Sequence, residues 1–363
     1  MFIFAVLMDS KMEQKKLFEI ASEFQLTGVA QSVKPLGDGF INDTFIVETD
    51  EKSAPKYILQ RKNKNVFTDI PAMIDNIHRV TEHLKGKVSE FGGNKLRNVL
   101  TVIPTHDDRF YYLDEEGDYW AVCVYIGNTI TYEKAESNEI AYNAGKGIGR
   151  FHLMMSDFNQ PLHDVLPGFH NMRMRFEQWD EAVRNDAAGR VKSVADHISF
   201  IESHRKEMLD FMELIENGTI PKRVVHNDTK ISNFLFGKNG SVECVIDLDT
   251  VMNGTVLNDV GDALRSITNT GLEDDPNLEN VSMNKALYDA YISGYMSEAE
   301  QFLTDIEKQY LSFSAKFITF EQVLRFLMDY INGDSYYKIK YPEHNLVRTR
   351  AQRRLLESMY RQI

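Results

Sequence analysis

The stretch "VVHNDTKISN" (224–233) places His226, Asp228 and Asn233 at the spacing H-x-D-x-x-x-x-N, directly after two valines. Further on, "CVIDLDT" runs a second apolar stretch into Asp247 and Asp249. Both runs are short and rich in β-branched residues, so each predicts a strand that ends at its polar residues. Between them, "FLFGKNGSVECVI" predicts a hairpin with "KNG" at its turn, which returns Asp247 to the side of Asp228 and Asn233. Carboxylate and amide oxygens at one point suit Mg²⁺, a hard cation that prefers oxygen ligands. A remaining carboxylate can take the proton of an attacking hydroxyl. These are the requirements of phosphoryl transfer from a nucleotide. Either half alone also describes a helix cap or an ordinary acidic strand end. Their order, with a hairpin between, points to function.

The elements around this pattern fall into two kinds. After an amphipathic helix beginning near Met12, "SVKPLGDGFINDTFIVETD" predicts two strands joined around Gly37 and Gly39, and "KYILQRKN" a third. Ile70, Met73, Ile77 and Val80 recur at three and four, which predicts a helix entered through Thr68, Asp69 and Pro71. "LTVIPT" and a hairpin turning at "EEGD" complete a mostly antiparallel sheet. From residue 128 the pattern becomes helical: Ile140, Ala144, Ile148, Phe151 and Met155, then 172–217, 283–298, 303–331 and 345–362. The opening stretch, "SVECVIDLD" and the Gly- and Asp-rich segment 253–275 are the expected interruptions. The expectation is an α+β chain with a small antiparallel-sheet lobe (12–127) and a larger, mostly helical lobe (128–363). The apolar run in residues 1–11 lacks the basic start and cleavage site of a signal peptide, and a start at Met12 would open directly on an amphipathic helix, so 1–11 read as a dispensable extension.

"HNDTKISN" followed by "VIDLDT" resembles the catalytic loop and metal aspartate of the aminoglycoside phosphotransferase and choline kinase superfamily, relatives of protein kinases. "AGKGIGRFH" is similar to a helix those proteins carry early in the large lobe. "GDGFINDTF", "IDLDTVMNG", "DVGDALR", "LRFLMDYINGDSYY" and "KYPEHNLVRTR" are similar to a branch of that superfamily which phosphorylates the anomeric hydroxyl of N-acetylglucosamine and N-acetylgalactosamine. The resemblance implies a protein-kinase-like two-lobe fold, ATP and Mg²⁺ as cofactors, and a sugar acceptor. It implies Asp228 as the catalytic carboxylate, Asn233 and Asp247 as metal ligands, and His226 as a brace behind the loop. Asp249 is open between a substrate-binding role and a structural one. Asp259 and Asp262 are expected to organise the lobe.

For the nucleotide, Gly37, Asp38 and Gly39 can form a turn whose backbone N–H groups approach phosphates, although an ordinary hairpin explains them equally well. Asn42 and Thr44 can add side-chain donors. The third strand breaks the pattern: where kinases place a lysine, "YILQ" puts Gln60, and Arg61 beside it points to the opposite face. For the sugar, Glu321, Arg325 and Asp329 share one helix face among large apolar residues, so that stripe is expected to border a cavity. The resemblance implies that Arg325 reads an amide carbonyl or sugar hydroxyls, with Tyr336 stacking nearby.

Composition limits the alternatives. A net charge of −13 argues against nucleic acid as partner. Cys123 and Cys244 lie in apolar runs as buried thiols, which suits a reducing cytoplasm. No stretch approaches the ~20 apolar residues of a membrane helix. No Walker A loop, D-F-G or A-P-E occurs, which argues against P-loop enzymes and protein kinases. Two alternatives to the sugar kinase stand: a kinase of another small alcohol such as choline, homoserine or methylthioribose, and a nucleotide-binding pseudokinase suggested by Gln60. The sequence leaves the oligomeric state undecided.

Overall fold

The computed structural model describes residues 14–37 and 41–363, so the extension over 1–11 lies outside the described residues. The chain divides into two compact units. The first holds the residues up to Thr129 with two later excursions, Asn159–Leu166 and Cys244–Val251. The second holds Ile130–Phe158, Pro167–Glu243 and Met252–Ile363. Among the described residues, no helix is long and apolar enough to cross a membrane.

The first unit is built on an antiparallel sheet of strands β1 (Ala30–Pro35), β2 (Asp43–Thr49), β3 (Tyr57–Lys62), β4 (Val102–Ile103), β5 (Tyr112–Leu113) and β6 (Tyr119–Val124). Their order is β1-β2-β3-β6-β4, with β5 also paired to β6. Helical residues 14–22 (α1) precede the sheet, and Leu17, Ile20 and Ala21 from it pack with Phe24, Val33, Val47, Tyr57, Leu59, Trp120 and Val122. Full burial of each large member is worth roughly 1.5–3 kcal/mol. Tyr57 and Leu59 thus fix one face of β3 to this core, which turns Gln60 and Lys62 to the other face.

Helix α2 (Ile70–Glu90) buries Ile70, Met73, Ile77 and Val80 as the spacing predicts, and the Asp69 carboxylate caps it by accepting the Ala72 N–H. Asn76 on the same helix is fully buried. Its amide donates to the carbonyls of His163 (2.9 Å) and Val251 (3.0 Å), and accepts the His163 N–H (2.8 Å). One asparagine therefore binds both excursions into the first unit. A short helix, α3 (Lys95–Asn98), leads into β4.

The second unit begins with α4 (Asn138–Met155), capped by Ser137. The single pattern read over 172–217 is two helices, α5 (Met172–Asn185) and α6 (Ala195–Glu216). Asp186 stops α5 in the left-handed conformation (φ 41°), and its carboxylate accepts the Arg190 and Val191 N–H groups instead of letting the helix continue. Strand β7 (Arg223–Val225) follows, then β8 (Phe234–Phe236), and the turn after β8 closes through Gly237 N–H to Ser241 carbonyl at 2.8 Å. Strand β9 (Val242–Val245) carries the chain towards Asp247, and β10 (Met252–Gly254) pairs antiparallel with β7.

The segment 253–275, expected to be irregular, contains the helix α7 (Val256–Ile267). Its apolar period is obscured because Asn258, Asp259 and Asp262 are buried along with Val256, Val260 and Leu264. The remaining helices are α8 (Lys285–Ala299), α9 (Asp305–Ile331) and α10 (His344–Gln362). Helices α4 and α8 approach at glycine: a Cβ on Gly294 would lie 1.9 Å from the Tyr142 carbonyl oxygen, and one on Gly145 2.1 Å from that of Tyr291.

Candidate active site

The loop after β7 is shaped by a buried aspartate of α7. Asp259 accepts the backbone N–H groups of His226 (2.8 Å) and Asn227 (2.6 Å), and its Oδ2 lies 2.8 Å from His152 Nε2. Thr229 Oγ1 donates to the carbonyl of the same residue. Burial disfavours the Asp259 charge, but His152 and the His226 contacts outweigh it and hold the carboxyl below the usual carboxylate range. Asn227 adopts φ 67°, a left-handed conformation that asparagine tolerates better than most residues. His226 is fully buried and its Nδ1 accepts the Asp228 N–H at 3.1 Å, so the ring stands behind the loop.

Asp228 and Asn233 come together in this loop. The Asn233 amide nitrogen donates to Asp228 Oδ2 (3.0 Å) and to the Asp228 carbonyl (2.8 Å). With its nitrogen so engaged, the amide oxygen is the end of Asn233 suited to a cation. Lys230 Nζ lies 2.9 Å from Asp228 Oδ2. Burial raises the Asp228 pKa, and Lys230, His226 and Asn233 lower it by more, so the carboxyl sits below its ordinary value. Lys230 was not singled out by sequence reasoning, although it stands inside the opening motif.

Asp247 and Asp249 belong to the first unit. Asp247 lies two residues past β9 in the left-handed conformation at φ 64° and leads into a single 3₁₀ turn, Leu248–Thr250. Holding an aspartate there costs on the order of 1 kcal/mol, the kind of strain found where a side chain must be aimed. Asp249 is buried, and both of its oxygens contact Lys62 Nζ, at 2.7 and 2.9 Å.

Lys62 corrects the reading of the third strand. The strand has its buried lysine, two residues after Gln60 and therefore on the same face. Lys62 Nζ donates to Gln60 Oε1 (2.8 Å), and Gln60 donates to Thr44 Oγ1 (3.3 Å). Asn42 Nδ2 donates to Asp249 Oδ2 (2.7 Å), while its oxygen accepts the Asn63 N–H (3.1 Å). Asn42 and Thr44, expected near nucleotide, thus lie at the two ends of a hydrogen-bonded chain through Asp249, Lys62 and Gln60. Arg61 points the other way and pairs with Asp43 and Asp118. The signal in the sequence was the strand's alternation, which places residue 62 with residue 60. Gly37 has φ 69°, a turn conformation suited to glycine; Asp38 and Gly39 lie outside the described residues.

In the second unit, α5, α9 and the segment after α9 enclose a cavity of about 470 Å³, lined by Arg175, Gln178, Arg325, Asp329, Tyr336 and Tyr337 among others. The expected stripe on α9 is divided between different tasks. Asp329 accepts the backbone N–H groups of Ser335 (2.9 Å), Tyr336 (2.8 Å) and Tyr337 (3.0 Å), and the Asn345 side-chain amide (2.8 Å). It thereby sets where both tyrosines stand. The Arg325 guanidinium lies 5.9 and 5.5 Å from their ring centroids, and Tyr336 is 68% exposed. Glu321 is fully buried and bonds His170 Nδ1 (2.6 Å) and Arg175 Nε (3.3 Å). His170 and Arg175 carried no signal in sequence, since the run "HNMRMR" reads as an ordinary exposed helix start.

Comparison with known proteins places this arrangement. The profile of a family described as phosphotransferase enzyme family matches residues 32–295. A microcompartment-associated aminopropanol kinase is similar in structure, with TM-score 0.63, 18% identity and 96% of each chain covered. An amicoumacin kinase solved with AMP-PNP and Ca²⁺ matches with TM-score 0.61, 13% identity, and 96% of this chain and 95% of that one covered. The choline kinase of Cryptosporidium parvum matches with TM-score 0.54, 15% identity, and 91% and 90% covered. The α+β, protein-kinase-like fold is therefore shared with these proteins.

Proposed function

The chain belongs to the phosphotransferase enzyme family and transfers a phosphoryl group to a hydroxyl acceptor, and from that premise we propose that it uses Mg²⁺-ATP to phosphorylate N-acetylhexosamines at the anomeric hydroxyl. One observation carries the choice of acceptor: the Arg325 guanidinium and the rings of Tyr336 and Tyr337 line one cavity, with both tyrosines pinned through Asp329. A planar donor fork suits an acetamido carbonyl and ring hydroxyls. An aromatic face suits the C–H face of a pyranose. A second guanidinium, Arg175, lines the same cavity.

Asn233 and Asp247 are the proposed Mg²⁺ ligands, on the order of these residues in the sequence and their hard oxygen donors. Held there, the ion would supply positive charge to the phosphate oxygens. Lys62 is the residue proposed to meet phosphate oxygens, with Asn42 and Thr44 joined to it through Asp249 and Gln60. The oxygen of the sugar's C1 hydroxyl forms the new P–O bond, ADP departs, and Asp228 receives the hydroxyl proton. Asp228 is a weak base, since Lys230 and Asn233 favour its charged form. Its main task is therefore orientation, with proton transfer late in the step. A C1 hydroxyl of a reducing sugar is more acidic than an ordinary alcohol, which suits so weak a base.

An ADP-release assay with N-acetylglucosamine, N-acetylgalactosamine, glucose, galactose, choline, homoserine and 1-amino-2-propanol tests this reading. Turnover of the acetylated sugars should exceed the rest, and Asp228→Asn should reduce it by roughly 10²–10⁴-fold. Turnover of choline or homoserine alone would remove the acceptor assignment.

A further inference from the structure

Resting on the reading that the cavity beside Arg325 holds the acceptor, we propose that His170 is a positioning residue that fixes this cavity against the catalytic loop. The ring is buried, and its backbone takes the left-handed conformation at φ 55°. Nδ1 lies 2.6 Å from Glu321 Oε2, and Nε2 lies 3.5 Å from the carbonyl oxygen of Asn227, the residue before Asp228. Glu321 stands one helical turn before Arg325, and its other oxygen accepts from Arg175 at 3.3 Å. A single imidazole therefore connects the helix that carries Arg325 to the backbone that carries Asp228.

Both partners of the ring are acceptors. A carboxylate and a carbonyl oxygen have no proton to give, so the two bonds together require an N–H on each ring nitrogen, which only the imidazolium has. The charged groups facing it are Glu321 and Arg325 on α9, Arg175 on α5 and Asp262 on α7. Asp262 has one buried carboxylate oxygen with no hydrogen-bond partner. Burial disfavours the cation, but Glu321 and then Asp262 outweigh burial and Arg325, so the ring titrates above its ordinary value. The double bond set is complete below that raised pKa and is lost as pH rises through it. The longer bond, to Asn227, is the one given up. Loss of that tie leaves the acceptor cavity and Asp228 free to shift by fractions of an ångström.

The test is steady-state kinetics across pH 6–9 on the full chain, with ¹⁵N-histidine spectra of the same protein. In the wild type, KM for the acetylated sugar should rise on the alkaline side while KM for ATP stays flat. His170→Gln, which cannot be an imidazolium, should raise KM for the sugar roughly tenfold or more at every pH and abolish that rise. Glu321→Gln should move the rise to lower pH, and it stands in should His170→Gln fail to fold. An unchanged sugar KM in His170→Gln, or an alkaline limb unmoved in Glu321→Gln, overturns the proposal. The ¹⁵N spectrum decides independently of turnover: both His170 nitrogens should be protonated at pH 6 and the ring should lose its proton at a higher pH than an exposed histidine, and a neutral ring at pH 6 overturns the bridge. Failure of every acceptor in the panel would instead remove the functional reading, with the spectrum still deciding the bridge.

Discussion

Lys62 is the residue on which the proposed phosphate contact of the first unit rests. Its ammonium is almost fully buried and is held by Asp249 and Gln60. A buried cation needs its anionic partner, and removing either leaves the other uncompensated at a cost of about 3–5 kcal/mol. Asp249 is therefore accounted for by Lys62 before any ligand arrives, and the pseudokinase reading, which leaned on Gln60 in place of a lysine, loses its main support. Replacing Lys62 by Met removes the charge proposed to meet phosphate and strands Asp249. The expected result is a fall in kcat/KM for ATP of at least 10²-fold, with KM for the sugar changed much less, measured by varying each substrate in turn. The strand's alternation made Lys62 legible. Gln60 occupies the position where kinases place a lysine, and Lys62 follows two residues on along the same face.

At the scale of elements, two features carry predictions. The α4–α8 contact leaves no room for a side chain at Gly294, since the added carbon would stand 1.9 Å from a carbonyl oxygen. Gly294→Ala should force the helices apart and cost about 1–3 kcal/mol or more, read as a lower midpoint in urea unfolding. Helix α7 supplies the second. Asp259 is fully buried with its carboxyl held below the usual range by His152 and the loop N–H groups. A carboxyl depressed in the folded state contributes stability that is present above its unfolded pKa, about 3.9, and lost as pH falls through the folded value. Asp259→Asn should therefore flatten the acid limb of stability below about pH 4, and lower activity by loosening the loop before Asp228. A variant with the wild-type acid limb would contradict the assignment. Helix α7 was not legible from periodicity, because its inward face carries Asp259 and Asp262 as well as aliphatic residues. Of the two aspartates expected to organise the lobe, Asp259 holds the His226 and Asn227 N–H groups, whereas among the described residues Asp262 bonds only Arg265 one turn on.

For the molecule as a whole, the sheet of the first unit and the helices of the second followed from period-two and period-3.6 patterns, at Tyr57–Lys62 and Ile70–Glu90 for example. The break within 172–217 did not, since it depends on Asp186 capping Arg190 and Val191, an interaction that periodicity does not encode. His170 and Arg175 were equally hidden, because their importance comes from Glu321, far away in sequence. The chain carries a net charge of −13, and the cavity's lining sets Arg175 and Arg325 against Glu181 and Asp329. In the proposed reading the acceptor is therefore chosen by hydrogen-bond and ring geometry rather than by net charge. The measurement that tests the account most directly is ¹H and ³¹P NMR of the product formed from N-acetylglucosamine and Mg²⁺-ATP. The account predicts a phosphate coupled to the anomeric proton and loss of the reducing end. A phosphate at any other hydroxyl, with the reducing end intact, would contradict it.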